Sequence, residues 1–467
     1  MRRIRASRNI ENAIAQRKNC RRAVTWGLFS SNPMNEFRQN RRDFLKLAGA
    51  ATATALLPSQ LRAAGAPAPA PASPAPAKLA STRPFEVDGS VFAWDLHDEG
   101  VEKVLDNLQE MSAINSIYIV GLMHPEKRPL TTGVFPHNPV RQTWTAEDAR
   151  IYWHPELKRY GRIQPRQSDN DWLNQTDWVR VLVDAARKRG LKVGVEISHA
   201  LVDKARAEGE FADVVERNIH GEITHVRDWL RPLCPNHPDT RAYATALLTD
   251  LVANYDPDFV MSCTVSMDEG GPDKGACFCA SCKKAAAEHG FDFEKAQATL
   301  LADPRAQPAA ADWQNFRCDS VARYYQVLHD AVHAIKPKID LRYNMHQNAR
   351  NPLDWGIDIV KMKPHLDSLR IMDYAEQNGV ASALPAKRAW LTENRQKLGP
   401  DFWILSAVAI RPKATPELIR LGVQLCVDTK MNGITLAQYD GADFPNLRAI
   451  RDGLVTAKIP VQPEKPV

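Results

Sequence analysis

The sequence predicts an α/β fold, a (β/α)8 barrel, on three observations. Eight short apolar runs recur along the chain, amphipathic helical stretches separate them, and polar residues gather just after the runs end. The runs fall at residues 90–95, 116–120, 191–196, 259–265, 339–343, 366–372, 402–406 and 433–437. Each is short enough for a strand buried on both faces, as a parallel sheet requires. Between the second and third lies a helix over 178–189, with Val179, Val181, Leu182, Val183 and Ala186 near one face and Gly190 as its stop. A second helix spans 240–254, before the fourth run. The rival architecture, a doubly wound open sheet, carries a Gly-rich phosphate loop after its first strand. Trp94-Asp95-Leu96-His97 is not such a loop.

In a barrel of this kind all strand C-termini open on one face, which holds the active site. Polar residues follow every run. They are Asp95, His97 and Asp98; His124; Glu196 and His199; Asp268 and Glu269; His346 and Asn348; Asp373 and Glu376; Arg411; and Gln438 with Asp440. The bland alternative is a solvated rim. A long insertion after strand two, residues 122–172, brings His137, Trp144, Trp153, His154 and Trp172. A loop of that length either forms substrate subsites or packs as a lid.

Composition is that of an ordinary soluble domain, 44% hydrophobic and 25% charged. The net charge of +6 is concentrated in the Arg-rich first 62 residues, so charge offers no case for nucleic-acid binding. Eleven Trp and ten Tyr supply rings that stack on sugar faces or fill cores. Asn40-Arg41-Arg42-Asp43-Phe44-Leu45-Lys46 resembles the twin-arginine export signal. An apolar run, 47–57, follows and is too short for a permanent membrane anchor. Small residues suited to signal peptidase end at Ala66, and Met34 is a candidate initiator. The expected organisation is a signal region over 1–66, a Pro/Ala linker over 67–82 and a catalytic barrel over 83–460. The twin-arginine translocase is the expected export partner, and the periplasm or the exterior the destination.

Three of the eight cysteines, Cys277, Cys279 and Cys282, lie within six residues. A Cys-x-x-Cys turn brings two thiolates to one metal, and zinc is the expected ion; disulfides to outside partners are the alternative. Cys263 and Cys426 read as plain core residues, and Cys318 has no assigned role.

The segments Cys234-Pro235-Asn236-His237-Pro238, Asp268-Glu269-Gly270-Gly271 and Cys277-x-Cys279-x-x-Cys282 together resemble glycoside hydrolase family 42, the β-galactosidases, and related uncharacterised barrels. The resemblance is close over about 50 residues and loose over the rest of the barrel. It implies a structural zinc held by Cys234, Cys277, Cys279 and Cys282, beside strand four. It implies Glu269 as general acid/base. Two positions depart from the family pattern: Asp268 stands where the family has Asn, and residues 403–408 of strand seven offer no carboxylate where the family has its nucleophile. Family members are often trimers, which puts a homo-oligomer among the assemblies the resemblance allows.

Glycoside cleavage needs two carboxyl groups, one to protonate the leaving oxygen and one to attack or to activate water. The expected catalytic set is Glu269 and Asp268 with Asp373, then Glu376, as partner; Asp440 ranks after them. Asp95, His97, His124, Glu196, His199, His346 and Asp440 are expected to bind a carbohydrate substrate. The expected function is thus a periplasmic glycoside hydrolase. Two other classes compete: a catalytically inactive carbohydrate-binding barrel, and a metal-dependent sugar isomerase or hydrolase with Glu196, Asp268 and histidines around an open metal.

Overall fold

The computed structural model describes residues 83–123, 135–141, 150–224, 230–263, 267, 275–346 and 351–461. The chain divides into Met1–Ala77 and Lys78–Val467, and the second unit carries all of these residues. Its centre is a closed parallel barrel of eight strands: β1 (Glu86–Val91), β2 (Ser116–Val120), β3 (Lys192–Ile197), β4 (Phe259–Cys263), β5 (Asp340–His346), β6 (Ser368–Met372), β7 (Trp403–Ala409) and β8 (Gly433–Ala437). β8 closes on β1 through Glu86 opposite Gly433. The main outer helices are α1 (Val101–Ser112), α2 (Trp178–Lys188), α3 (Pro238–Tyr255), α4 (Ala309–Ile335), α5 (Ile359–Met362), α6 (Leu384–Leu398), α7 (Pro416–Asp428) and α8 (Phe444–Thr456). No described helix is long and apolar enough to cross a membrane.

Local signals set the helix ends. Asp177 caps α2 by accepting from the Arg180 backbone N–H. At the other end Gly190 takes φ +69°, and Leu191 N–H reaches Ala186 O at 3.0 Å while Gly190 N–H reaches Arg187 O at 3.0 Å. That is a Schellman turn, which needs a left-handed residue where Gly stands. Thr415 caps α7 in the same way, followed by Pro416 at the first helical position.

Strand one corrects the sequence reading. It runs from Glu86 to Val91, and Trp94 and Asp95 belong to a short helix, Ala93–Glu99. The apolar run was misleading because β1 puts Glu86, Asp88 and Ser90 into the barrel. The run after it, Val91-Phe92-Ala93-Trp94, is apolar because it packs in the core. β5 and β7 also extend beyond the predicted runs, to His346 and Ala409.

The barrel interior is ionic rather than aliphatic. Alternate strands β1, β3, β5 and β7 meet in a lowest layer, where Lys192 Nζ lies 3.2 Å from Glu86 Oε2 and 3.3 Å from Asp340 Oδ2, and Trp403 Nε1 donates to Glu86 at 3.0 Å. Above it, Arg342 holds Glu86, Asp88 and Asp340 at 3.0, 3.3 and 2.9 Å. Its guanidinium stacks over Phe259, 4.1 Å from the ring centroid. Gly194 makes that stack fit, since a Cβ there would lie 2.2 Å from the Phe259 ring.

Of the insertion after strand two, the structure describes residues 135–141, where His137 lies 2.9 Å from Glu99 Oε1 and 3.0 Å from Tyr439 O, a two-residue ribbon, Leu122–Met123 with Arg150–Ile151, and the chain that follows. Trp153 is buried and donates to Asp250 of α3 at 3.1 Å, and Tyr160 OH donates to the same carboxylate at 2.8 Å. These aromatics fasten the insertion to the barrel wall.

Candidate active site and metal centre

At the C-terminal mouth the strands bring together Glu196 of β3, Asn344 of β5 and Arg370 of β6. Glu196 accepts from Arg370 Nη1 at 3.0 Å and from Asn344 Nδ2 at 3.2 Å. Arg370 is buried and lies over the Tyr118 ring at 5.0 Å. Burial opposes its charge, but Tyr118 and Glu196 hold the guanidinium protonated well above the ordinary range. Asn344 Nδ2 also reaches Cys263 Sγ, at 3.4 Å. Cys263 is buried, as the sequence suggested, and this contact ties it to the mouth.

Tyr374, just past β6, joins this group. Burial raises its phenol pKa; Arg370 and Arg411 act to lower it, and Glu196 and Cys263 to raise it. Sequence reasoning missed Tyr374 and Arg370. Arg370 sits mid-strand among apolar neighbours, and only inward alternation across β6 could have flagged it.

Asp373 follows β6 directly and is half-exposed, with one oxygen accepting from the Ala375 backbone N–H at 3.0 Å. Glu376 is elsewhere. It is buried behind β7, bonded to Lys387 Nζ at 2.6 Å and to the Ala409 N–H at 3.2 Å. A Cβ at Gly422 of α7 would lie 2.4 Å from its carboxylate, so the glycine makes its room. Desolvation pulls Lys387 down, yet Glu376 holds the ammonium above its usual value. This carboxylate is committed to the wall and is not offered to a substrate.

Asp95 and Asp440 form a second acidic group, after β1 and β8. Both are buried. Asp95 accepts from the Phe92 N–H at 2.8 Å. Burial first, then Asp440, pushes the Asp95 carboxyl well above the usual range. Arg411 bonds Gln438 and stands 3.9 Å from Asp440 Oδ1.

The histidines divide. His199 is fully buried, with Nε2 2.6 Å from Ser262 Oγ and Nδ1 2.6 Å from Tyr324 OH. Both nitrogens are occupied between the outer face of β4 and α4, so His199 reaches neither sugar nor catalytic metal. With Glu196 taken by Arg370, these two do not converge on an ion. His97 lies outside the mouth, bonded to Asp98 at 2.8 Å and packed on Trp172. His346 ends β5. Asp268, Glu269 and His124 lie outside the described residues, as do Trp144 and Asn348.

Beside β4, four cysteines converge. Cys234 follows a ribbon strand, Leu230–Pro232; Cys279 precedes the helix Ala280–Glu288, and Cys282 lies in its first turn. Their sulfurs and that of Cys277 all lie within 4.8 Å of one another, fully inside the protein. Cys234 Sγ is 3.5 Å from Cys282 Sγ and 3.4 Å from Cys279 Sγ. A disulfide would need about 2.05 Å. Tetrahedral ligands at about 2.3 Å from one zinc would stand about 3.8 Å apart, near the observed spacing. All seven described cysteines are free. Burial drives Cys234, Cys277 and Cys282 towards the neutral thiol, whereas hydrogen bonding with those three draws Cys279 down. Four buried thiols whose sulfurs face one another fit a metal ion by their donor chemistry. Asn236 Nδ2 donates to Cys282 Sγ at 3.3 Å, the outer hydrogen bond that orients a ligand.

Residues 38–58 match the family of TAT (twin-arginine translocation) pathway signal sequences. No curated protein matches the sequence. Among solved structures, alpha-L-fucosidase isoenzyme 2 from Paenibacillus thiaminolyticus aligns over 80% of this chain and 49% of its own, at 14% identity and a TM-score of 0.51. The glycoside hydrolase domain of PgaB (BpsB) from Bordetella bronchiseptica aligns over 80% of this chain and 99% of its own, at 13% identity and 0.54. A catalytic mutant of Gan42B, a GH42 beta-galactosidase from G. stearothermophilus, gives 80% and 57%, at 12% identity and 0.51. The chain thus spans about half of the fucosidase and little more of Gan42B. At such identities the likeness is one of fold: this chain, which carries a twin-arginine export signal, has the (β/α)8 barrel that these glycoside hydrolases share.

Proposed function

We propose that the exported barrel hydrolyses glycosidic bonds in an oligo- or polysaccharide. The observation that carries this reading is the hydrogen-bonded Glu196–Arg370–Asn344 group at the mouth, joined by Tyr374 and flanked by the half-exposed Asp373. Glu269 is the general acid that protonates the leaving oxygen, and Asp373 is the partner carboxylate. Glu196 is held by two donors and orients a sugar hydroxyl rather than moving a proton. Glu376 takes no part. Cys234, Cys277, Cys279 and Cys282 hold one structural zinc. With four protein ligands that ion has no open position, so it supplies folding free energy and no chemical step.

One observation favours a second reading, a sugar-binding barrel without turnover: β7 carries no carboxylate from Trp403 to Ala409. Assay of the purified protein, Glu269→Gln and Asp373→Asn against a panel of aryl glycosides and oligosaccharides separates the two. Turnover by the unmodified protein, reduced by about 10²–10⁴ in each variant with an unchanged circular dichroism spectrum, is the expected result. An undiminished rate in Glu269→Gln would overturn the mechanism. Sugar binding with no turnover of any substrate would establish the binding barrel.

A further inference from the structure

Opposite the mouth, where the strands begin, three metal-ligating side chains converge outside everything described above. His329 and His333 stand one turn apart on α4, and Asp367 immediately precedes β6. One donor atom from each lies within 4.8 Å of the other two. The two imidazoles stack, with ring centroids 3.9 Å apart.

The hydrogen bonds leave two acceptors facing each other. His333 Nδ1 lies 2.9 Å from the His329 carbonyl oxygen. A carbonyl only accepts, so Nδ1 carries the proton, and in the neutral ring Nε2 bears a lone pair. That lone pair faces Asp367 Oδ2 at 3.2 Å. The carboxylate oxygen is also an acceptor, and the Leu341 backbone N–H, 2.8 Å away, holds it in place. Two acceptors pointed at each other require something between them: a proton, carried by the ring or by the carboxyl, or a cation. A ring nitrogen and a carboxylate oxygen bound to one tetrahedral ion at about 2.0–2.1 Å would stand about 3.3 Å apart, which is the spacing found. Nδ1–H donation to a main-chain carbonyl is also how ligating histidines are oriented. A second proton on His333 would instead place an imidazolium directly against the stacked His329 ring.

We propose that His329, His333 and Asp367 form a second metal site, for a divalent transition ion such as zinc, that ties the end of α4 to the start of β6. Two imidazoles and one carboxylate select such an ion over magnesium or calcium. Three protein ligands leave positions for water. His333 and Asp367 are 19% and 35% exposed at the side chain, so the ion exchanges with solution. The N-terminal face of such a barrel serves stability rather than catalysis. The site therefore acts as a removable staple, independent of the hydrolase reading.

The test uses the untagged full chain, dialysed until only tightly held metal remains, then titrated with zinc chloride by calorimetry. One further zinc per chain is expected, with a rise in Tm. Affinity should fall at least 100-fold in His333→Ala and in His329→Gln, with the tightly held metal and the circular dichroism spectrum unchanged. If His333→Ala fails to fold, His329→Gln, on a partly exposed face, carries the test alone. A full chain that takes up no zinc beyond its tightly held metal would overturn the proposal, as would a folded variant that titrates like the unmodified protein.

Discussion

Asp88 makes the barrel interior sensitive to pH. Burial pushes its carboxyl up to about 7, with Glu86 adding to the rise and Arg342 opposing it. Its neighbour Asp340 goes the other way: desolvation is outweighed by Arg342 and Lys192, which hold it at about 2. The two carboxyls load stability in opposite senses. From about pH 4 to 7 the folded state keeps a proton on Asp88 that the unfolded chain has released, so this group removes stability as pH rises through that window. Asp340 contributes stability above about pH 4 that is lost as pH falls towards 2. Asp88→Asn is therefore expected to abolish the first decline, which has a ceiling of about 4 kcal/mol. Asn can still accept from Arg342 and donate to Ser116, which now bonds Asp88 at 2.9 Å. Thermal unfolding of both proteins from pH 4 to 8 checks this. Parallel Tm profiles would show that Asp88 is ionised throughout. None of this was legible in the sequence, because an inward charge and a surface charge look alike until register is known. Tyr374 and Arg370 were missed for the same reason, and Glu376 was misread because a buried ion pair behind β7 and a strand-end acid occupy the same place in the sequence.

Elements were read unevenly, and the unevenness has a physical cause. β2 and β8 carry unbroken apolar runs, Ser116-Ile117-Tyr118-Ile119-Val120 and Gly433-Ile434-Thr435-Leu436-Ala437, and their bounds match the predicted ones. β1 alternates acidic and apolar residues and was displaced along the chain. The cysteine motif was legible because ligand geometry constrains local spacing more tightly than packing does. What spacing could not reveal is the shell around it. Asn236 accepts from Arg241 at 3.1 Å and donates to both Cys282 Sγ and Ser320 Oγ of α4, so one amide ties the thiols to the longest outer helix. Asn236→Ala is expected to weaken metal retention about 10- to 100-fold without altering stoichiometry. Competition with a chromogenic chelator measures it; unchanged retention would mean that the amide packs without orienting the ligand.

At the scale of the whole molecule, the export route and the four-cysteine cluster constrain each other. The twin-arginine route carries folded proteins, so a cysteine cluster can be closed on metal in the reducing cytoplasm before the chain meets an oxidising compartment. The four thiols are drawn from two segments and buried between them, so the cluster forms only when the barrel around β4 is assembled. Export should therefore depend on both the signal and the cysteine cluster. Replacing Arg41 and Arg42 together by Lys is expected to leave precursor in the cytoplasm, correctly folded and metal-loaded. Cys234→Ser, with the signal intact, is expected to lower export as well, but through a chain that no longer closes its metal site. Fractionation with immunoblotting reads the first effect, and protease sensitivity of the retained precursor separates the second from it. Equal amounts outside the cytoplasm for the twin-lysine variant would mean that residues 38–58 do not direct this chain. Undiminished export of Cys234→Ser would mean that the barrel reaches its exported state without the fourth thiol.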